Sequence, residues 1–135
     1  MNVAVLGGTG SFGRALAARL VSVGVDSVVI GSRDAARASE AAEELGGGVT
    51  GATNEEAVRG MDLVVLAVSA DAALETVRAV ASALGETPLL SVATAIGFRK
   101  GVGAVPDPDA RSLAERIQDE VAGPVVAGLH SMAAS

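Results

Sequence analysis

Apolar residues fall along this chain in short unbroken runs, and between the runs they recur every three or four positions. The runs are Val3–Leu6, Ser27–Ile30, Asp62–Val68, Pro88–Val92 and Pro124–Leu129. Such runs are too short for helices and do not alternate with polar residues, so they read as strands covered on both faces. The stretches between them read as helices. Ser11–Val23 carries an apolar stripe of Phe12, Leu16, Ala17 and Leu20 and stops at Gly24. Ala35–Leu45 is rich in Ala and Glu and stops at Gly46-Gly47-Gly48. Ala72–Leu84 has Leu74, Val77, Ala81 and Leu84 on one face, with Ser69 or Asp71 as its cap. Val49-Thr50-Gly51 reads as a short strand, and Thr53-Asn54-Glu55-Glu56 opens a brief helix, capped by Thr53 or Asn54, that ends at Gly60. Ala95–Pro108, rich in Gly and Pro, reads as a long connection, and Asp109 as the cap of a last helix to about Val121. Strands alternating with helices predict an α/β fold: a doubly wound parallel sheet of about six strands between two helical layers, with right-handed crossovers.

Composition narrows this picture. A chain of 135 residues is expected to form one domain over 1–135 and to bury roughly two thirds of its unfolded surface. Half of the residues are apolar, yet Phe12 and Phe98 are the only aromatics, so Val, Leu, Ile and Ala must fill the core. Few aromatics and a net charge of −6 argue against nucleic acid as a partner. The absence of cysteine removes disulfides, thiolate catalysis and Cys-type zinc sites, and fits a reducing compartment. Neither a charged leader before the first strand nor an apolar run of about 18 residues is visible. A cytoplasmic location without a membrane span is therefore expected.

Candidate chemistry begins at Gly7-Gly8-Thr9-Gly10-Ser11-Phe12-Gly13, between the first strand and the first helix. Gly8, Gly10 and Gly13 have the G-x-G-x-x-G spacing of a Rossmann-type dinucleotide turn. One glycine allows the tight turn, one admits a pyrophosphate close to the backbone, and one lets helix and strand pack closely. Backbone N–H groups from Thr9 to Gly13, including those of Ser11 and Phe12, then face the phosphates at the positive end of the helix. Thr9 could also turn its hydroxyl toward them.

The end of the second strand selects the cofactor. An NAD site places Asp or Glu about 20 residues beyond the glycines, to hold a ribose hydroxyl. Here Gly31-Ser32-Arg33 stands in that place. A hydroxyl and a guanidinium bind the 2′-phosphate of NADP, which a carboxylate would repel. Arg37 could reach the same phosphate or lie on an exposed helix face. Asp34 is either a rival carboxylate displaced by one residue or a helix cap. Arg14 is expected in solvent. Ala67-Val68-Ser69 and Ala93-Thr94-Ala95 end the fourth and fifth strands, where small residues would let a nicotinamide ribose approach the backbone. The single histidine, His130, follows the last strand and is either a structural hydrogen-bonding group or the one candidate catalytic side chain.

Beyond the fingerprint, nearly the whole chain resembles the coenzyme F420-dependent NADP oxidoreductases. Leu6 through Gly13 is similar to the family's opening turn, and Gly31-Ser32-Arg33 to its 2′-phosphate site. Asp62–Val68 with Ala72–Val77 resembles its fourth strand and helix. Gly97-Phe98-Arg99-Lys100-Gly101 resembles a basic glycine loop, and Ser112–Glu115 through Val126–His130 the following helix, strand and histidine. The resemblance implies hydride transfer between NADP(H) and the deazaflavin coenzyme F420. That reaction needs two rings held face to face and neither a nucleophile nor a metal. His130 would then orient a ring edge. The sequence departs from the pattern in two ways: the family's smaller C-terminal region would begin where this chain ends, and expected prolines and a bulky residue near Ser69-Ala70 and Thr94-Ala95 are missing. Competing readings are a reductase domain of the pyrroline-5-carboxylate or ketopantoate type and a non-catalytic NADPH-binding module. A chain without Tyr excludes the Tyr-x-x-x-Lys of short-chain dehydrogenases. The expected partners are small-molecule cofactors, and the expected assembly is a homo-oligomer, a dimer.

Overall fold

The computed structural model describes residues 1–132, and all of their side chains except those of Gly97 and Phe98. In chain order the elements are β1 (Asn2–Leu6), α1 (Ser11–Ser22), β2 (Ser27–Ser32), α2 (Ala35–Leu45), β3 (Thr50–Thr53), α3 (Asn54–Ala57), β4 (Leu63–Leu66), α4 (Ala70–Leu84), β5 (Leu89–Ser91), β6 (Ile96–Arg99), β7 (Gly103–Pro106), α5 (Leu113–Gln118) and β8 (Val125–Ala127). Six strands form one sheet in the order β3-β2-β1-β4-β5-β8, and every pairing within it is parallel. This is the doubly wound sheet expected from the alternation of runs. The strand order reverses at β1, which pairs with β2 on one side and β4 on the other.

Helices cover both faces, which is why the central strands are apolar without alternation. Val5, Val28 and Ile30 pack on one face with Ala17, Ala41 and Ala42 of α1 and α2. Ala4, Leu6, Val64, Leu66 and Leu89 pack on the other with α3, α4 and α5, through residues including Val77, Val80, Leu84 and Ile117. The α4 face that the sheet buries is Ala73, Thr76, Val77, Val80 and Leu84. It is therefore rotated slightly from the predicted stripe, leaving Leu74 and Ala81 half-buried.

The departures from the sequence-based expectations have local causes. β4 stops at Leu66 because its neighbour β1 ends at Leu6; the last bond between them runs from the Ala67 N–H to the Leu6 carbonyl, 2.8 Å. Ala67 and Val68 are thereby released into the loop. The fifth strand and β8 shorten together, because β8 pairs only with Leu89–Ser91. β3 starts one residue later than expected and runs on to Thr53, in register with β2 as far as Ser32. The segment expected as a long connection contains an antiparallel hairpin, with Ile96–Arg99 paired to Gly103–Pro106. Gly101 takes φ +81° in its turn, the left-handed conformation that side chains disfavour. The last helix is capped by Ser112 rather than Asp109. Asp107 and Asp109 instead accept from the N–H groups two residues ahead, at 2.8 and 2.9 Å, forming turns that precede the helix. Arg14, expected in solvent, is half-buried and pairs with Glu44 of α2. Among the described residues, no helix is long and apolar enough to cross a membrane.

Candidate functional site

A cleft opens at the carboxyl ends of β1, β2 and β4, where the strand order reverses. One cavity of about 560 Å³ has Gly7, Thr9 and Gly10 on one wall, and Ser32, Arg33 and Arg37 on the next. Ala67, Val68 and Ser69 separate it from a second cavity of about 360 Å³, lined also by Phe12, Ala93, Thr94 and His130.

The glycine turn divides its labour. Gly7 takes φ +78°, and a Cβ there would lie 2.6 Å from the Ala67 carbonyl oxygen. A Cβ on Gly8 would run into Ile30 and sit 2.9 Å from the Val5 carbonyl oxygen; one on Gly13 would sit 2.5 Å from the Gly7 carbonyl oxygen. Gly8 and Gly13 are therefore required by the packing of α1 onto β1 and β2, and neither lines the cleft. Gly10 differs, because a Cβ there would meet only the Gly7 oxygen at 3.4 Å. The protein leaves that space open toward the cavity. Gly10 also occupies the N-cap of α1, where no side chain caps the helix and no acidic residue stands in the first turn. The first N–H groups of a helix have no intrahelical acceptor, so those of Ser11, Phe12 and Gly13 remain available to an anion. Ser11 is exposed; Phe12 is half-buried and turns to the second cavity rather than serving the core alone.

At the end of β2, Asp34 is committed to α2. Its carboxylate accepts from the N–H groups of Ala36 at 2.9 Å and Arg37 at 3.4 Å. The structure thus takes the capping alternative for Asp34. Ser32 Oγ accepts from the Asp34 N–H at 3.2 Å, which fixes the turn and leaves the hydroxyl proton to donate elsewhere. Arg33 and Arg37 are exposed at the cleft, and among the described residues neither pairs with a carboxylate. Two guanidinium groups and a hydroxyl around open space suit a phosphate monoester, while uncapped N–H groups beside an uncrowded glycine suit a diphosphate. These residues fit a dinucleotide that carries one additional phosphate.

The second strand-end group divides. Ala93 and Thr94 line both the second cavity and a neighbouring space beneath the hairpin, whereas Ala95 reaches only the spaces beneath the hairpin. The neighbouring space, about 640 Å³, also reaches His130, so the histidine stands exposed between two cavities. Leu129, just before it, has φ +62°, an uncommon conformation for a branched side chain. Asp107 borders the same space. Its carboxyl is held below the usual range first by the Asp109 N–H and then by the Arg116 guanidinium, which donates to it at 3.0 Å.

Some lining residues escaped the sequence reading. Gly7 stands beside the fingerprint but outside its spacing. Ala72, Glu75, Thr76 and Ala79 of α4 line the first cavity, and their three- and four-residue spacing is the signal that places them on one helix face. Asn54 read only as a possible cap, yet it lines the cavity, while Thr53 forms the capping box of α3 with Glu56.

The model of the family described as NADP oxidoreductase, coenzyme F420-dependent, matches residues 2–95. The chain belongs to this family. It is 38% identical, over 112 residues, to the F420-dependent NADP reductase of Methanothermobacter thermautotrophicus; the match covers 78% of this chain and 48% of that protein. It is 34% identical to the F420-dependent NADP reductase of Methanothermobacter marburgensis, over the whole of this chain and 65% of that protein. A solved structure from Arthrobacter sp. FB24, provisionally named an F420-dependent NADP-reductase, superposes with a TM-score of 0.80 at 30% identity. It covers 98% of this chain and 64% of that one. This family member thus spans about half to two thirds of the length of those relatives. The family match takes in the glycine turn, the Ser32-Arg33 turn, the ends of β4 and β5 and Asn54, and stops before His130.

Proposed function

We propose that this chain binds NADP(H) in the cleft at the switch of strand order, and serves hydride transfer between NADP(H) and the deazaflavin coenzyme F420. In this reading Thr9, Gly10 and the N–H groups of Ser11, Phe12 and Gly13 hold the diphosphate, with Gly8 and Gly13 setting the turn. Ser32, Arg33 and Arg37 hold the 2′-phosphate. Ala67–Ser69 and Ala93–Thr94 line the path of the nicotinamide half, with Ala95 supporting the strand end from behind. When bound, the nicotinamide would give or take the hydride. His130 orients the outer ring from the rim of the second cavity, where holding the two rings in register is what the reaction needs. One observation carries the NADP assignment: the carboxylate of the turn after β2, Asp34, is spent on capping α2, while among the described residues Arg33 and Arg37 stand unpaired beside Ser32. The names of the family relatives support the deazaflavin as hydride partner over a pyrroline-5-carboxylate-type substrate.

The test is calorimetric and spectroscopic. NADPH is expected to bind at least tenfold more tightly than NADH, and Arg33→Ala to abolish most of that difference, as suits the loss of a charge-assisted contact of about 1.5–3 kcal/mol. Equal affinities for the two nucleotides in the wild type would sink the assignment. Mixing with NADPH and coenzyme F420 then reads turnover from the deazaflavin absorbance. NADPH binding without turnover would mark this chain as a nucleotide-binding module and refute the catalytic half of the proposal. We extend the reading to a cytoplasmic homodimer. The absence of cysteine supports the compartment, and exposed apolar side chains at the β8 edge support the assembly.

A further inference from the structure

Besides Glu75 and Thr76 of α4, the first cavity is lined by a polar side chain, Asn54, that neither the diphosphate turn nor the 2′-phosphate group accounts for. Asn54 follows Thr53, and Thr53 pairs in register with Ser32 across β2 and β3. Asn54 therefore enters the cleft from the strand beyond the 2′-phosphate position, and it lines the same cavity as Ser32, Arg33 and Arg37. Its Oδ1 is buried and, among the described residues, has no hydrogen-bond partner. That oxygen lies 2.8 Å from the point a Cβ on Gly31 would occupy, so the amide is tucked beneath the backbone that leads into Ser32. The amide has no duty in ending the helix, because Thr53 and Glu56 satisfy each other there: Glu56 N–H donates to Thr53 Oγ1 at 3.3 Å, and Thr53 N–H donates to Glu56 at 3.2 Å. Buried polar groups are almost always paired, and an unpaired one is costly. With Oδ1 closed off against the Gly31 backbone, the part of Asn54 that lines the cavity is left for a ligand.

We propose that Asn54 is a nucleotide-selecting residue, whose side-chain amide hydrogen-bonds the adenosine 2′-phosphate half of the bound dinucleotide. This rests on the NADP(H) reading above. With its oxygen closed off, the amide offers its NH2 group as donor; the ring nitrogens and phosphate oxygens of that half offer acceptors. Gly31 is part of the device, since any side chain there would displace the amide from its place under the turn.

Titration calorimetry with NADPH, NADH and adenosine 2′,5′-bisphosphate tests it, with thermal unfolding of the ligand-free variants as the control. Asn54→Ala is expected to weaken NADPH and adenosine 2′,5′-bisphosphate by the same factor, about five- to tenfold for one hydrogen bond. The unfolding midpoint is expected to stay near the wild-type value, because among the described residues the Asn54 side chain makes no hydrogen bond that the variant would lose. Asn54→Asp keeps the shape but sets a carboxylate near the extra phosphate. It is expected to weaken NADPH at least tenfold more than NADH, and this comparison serves alone should Asn54→Ala not fold. Wild-type affinity for both NADPH and the bisphosphate in Asn54→Ala overturns the proposal, as does a loss for NADPH with none for the bisphosphate. Failure of the cofactor reading is a separate result, since the wild-type chain itself would then bind no NADPH.

Discussion

Three glycines of one spacing do different work here, and the difference lies in what a methyl group would strike. At Gly8 it would strike Ile30 in the core, whereas at Gly10, which lines the cleft, it would meet only the Gly7 oxygen at 3.4 Å. Gly8→Ala is therefore expected to destabilise the fold by about 1–3 kcal/mol, as overpacking does, and to lower the unfolding midpoint. Gly10→Ala is expected to leave that midpoint nearly unchanged and to weaken NADPH. Thermal melts of the two variants beside calorimetry separate these roles; matching effects would refute the division. The spacing of the three was legible in the sequence because it is a local rule. Their division was not, because Ile30 lies on another strand. Asp34 teaches the same lesson: one residue of displacement left it between ligand and cap, and only the direction of its carboxylate, toward Ala36 and Arg37, decides.

At the scale of elements, the strands and long helices were readable because burial on both faces leaves an unbroken apolar run. The β6–β7 hairpin was hidden by its composition. Its strands carry Gly97, Gly103 and Pro106, residues that ordinarily mark loops. The short helices were visible as caps rather than as stripes. α3 and α5 both open with a capping box, Thr53 with Glu56 and Ser112 with Glu115. Hydrogen bonds from Thr53 hold the Glu56 carboxyl below its ordinary value of 4.5, and the Ser112 N–H does the same for Glu115. A carboxyl lowered in the folded state binds its proton more readily when unfolded. Its contribution to stability is complete above the unfolded value and is lost as pH falls through the lower folded one. Urea denaturation followed from pH 7 downward is expected to show Glu115→Gln less stable than wild type at neutral pH. The gap should narrow as the medium is acidified below about 4.5, the ordinary glutamate value. A gap independent of pH would mean that the box contributes through shape rather than charge.

For the whole molecule, the sheet leaves β8 as an edge strand, with Val126 58% and Met132 60% exposed close by. An open apolar edge invites a partner, and a second copy is the occupant we propose. Sedimentation is expected to give a two-chain mass, and Val126→Lys to give one chain with an unchanged circular dichroism spectrum. A wild type that sediments as a single chain at every concentration would remove the dimer. The other large-scale feature is the seam between the halves of the sheet, which is the pairing of β1 with β4, Val3 with Leu63 through Leu6 with Leu66. The cleft takes one wall from each side of that seam: Gly10 and Ser32 from one, Ala67 and Thr76 from the other. A guest lodged there acts as a stitch across the joint. Whatever lets the two halves breathe apart also loosens the guest, so damage far from the cleft will first be felt as faster escape from it.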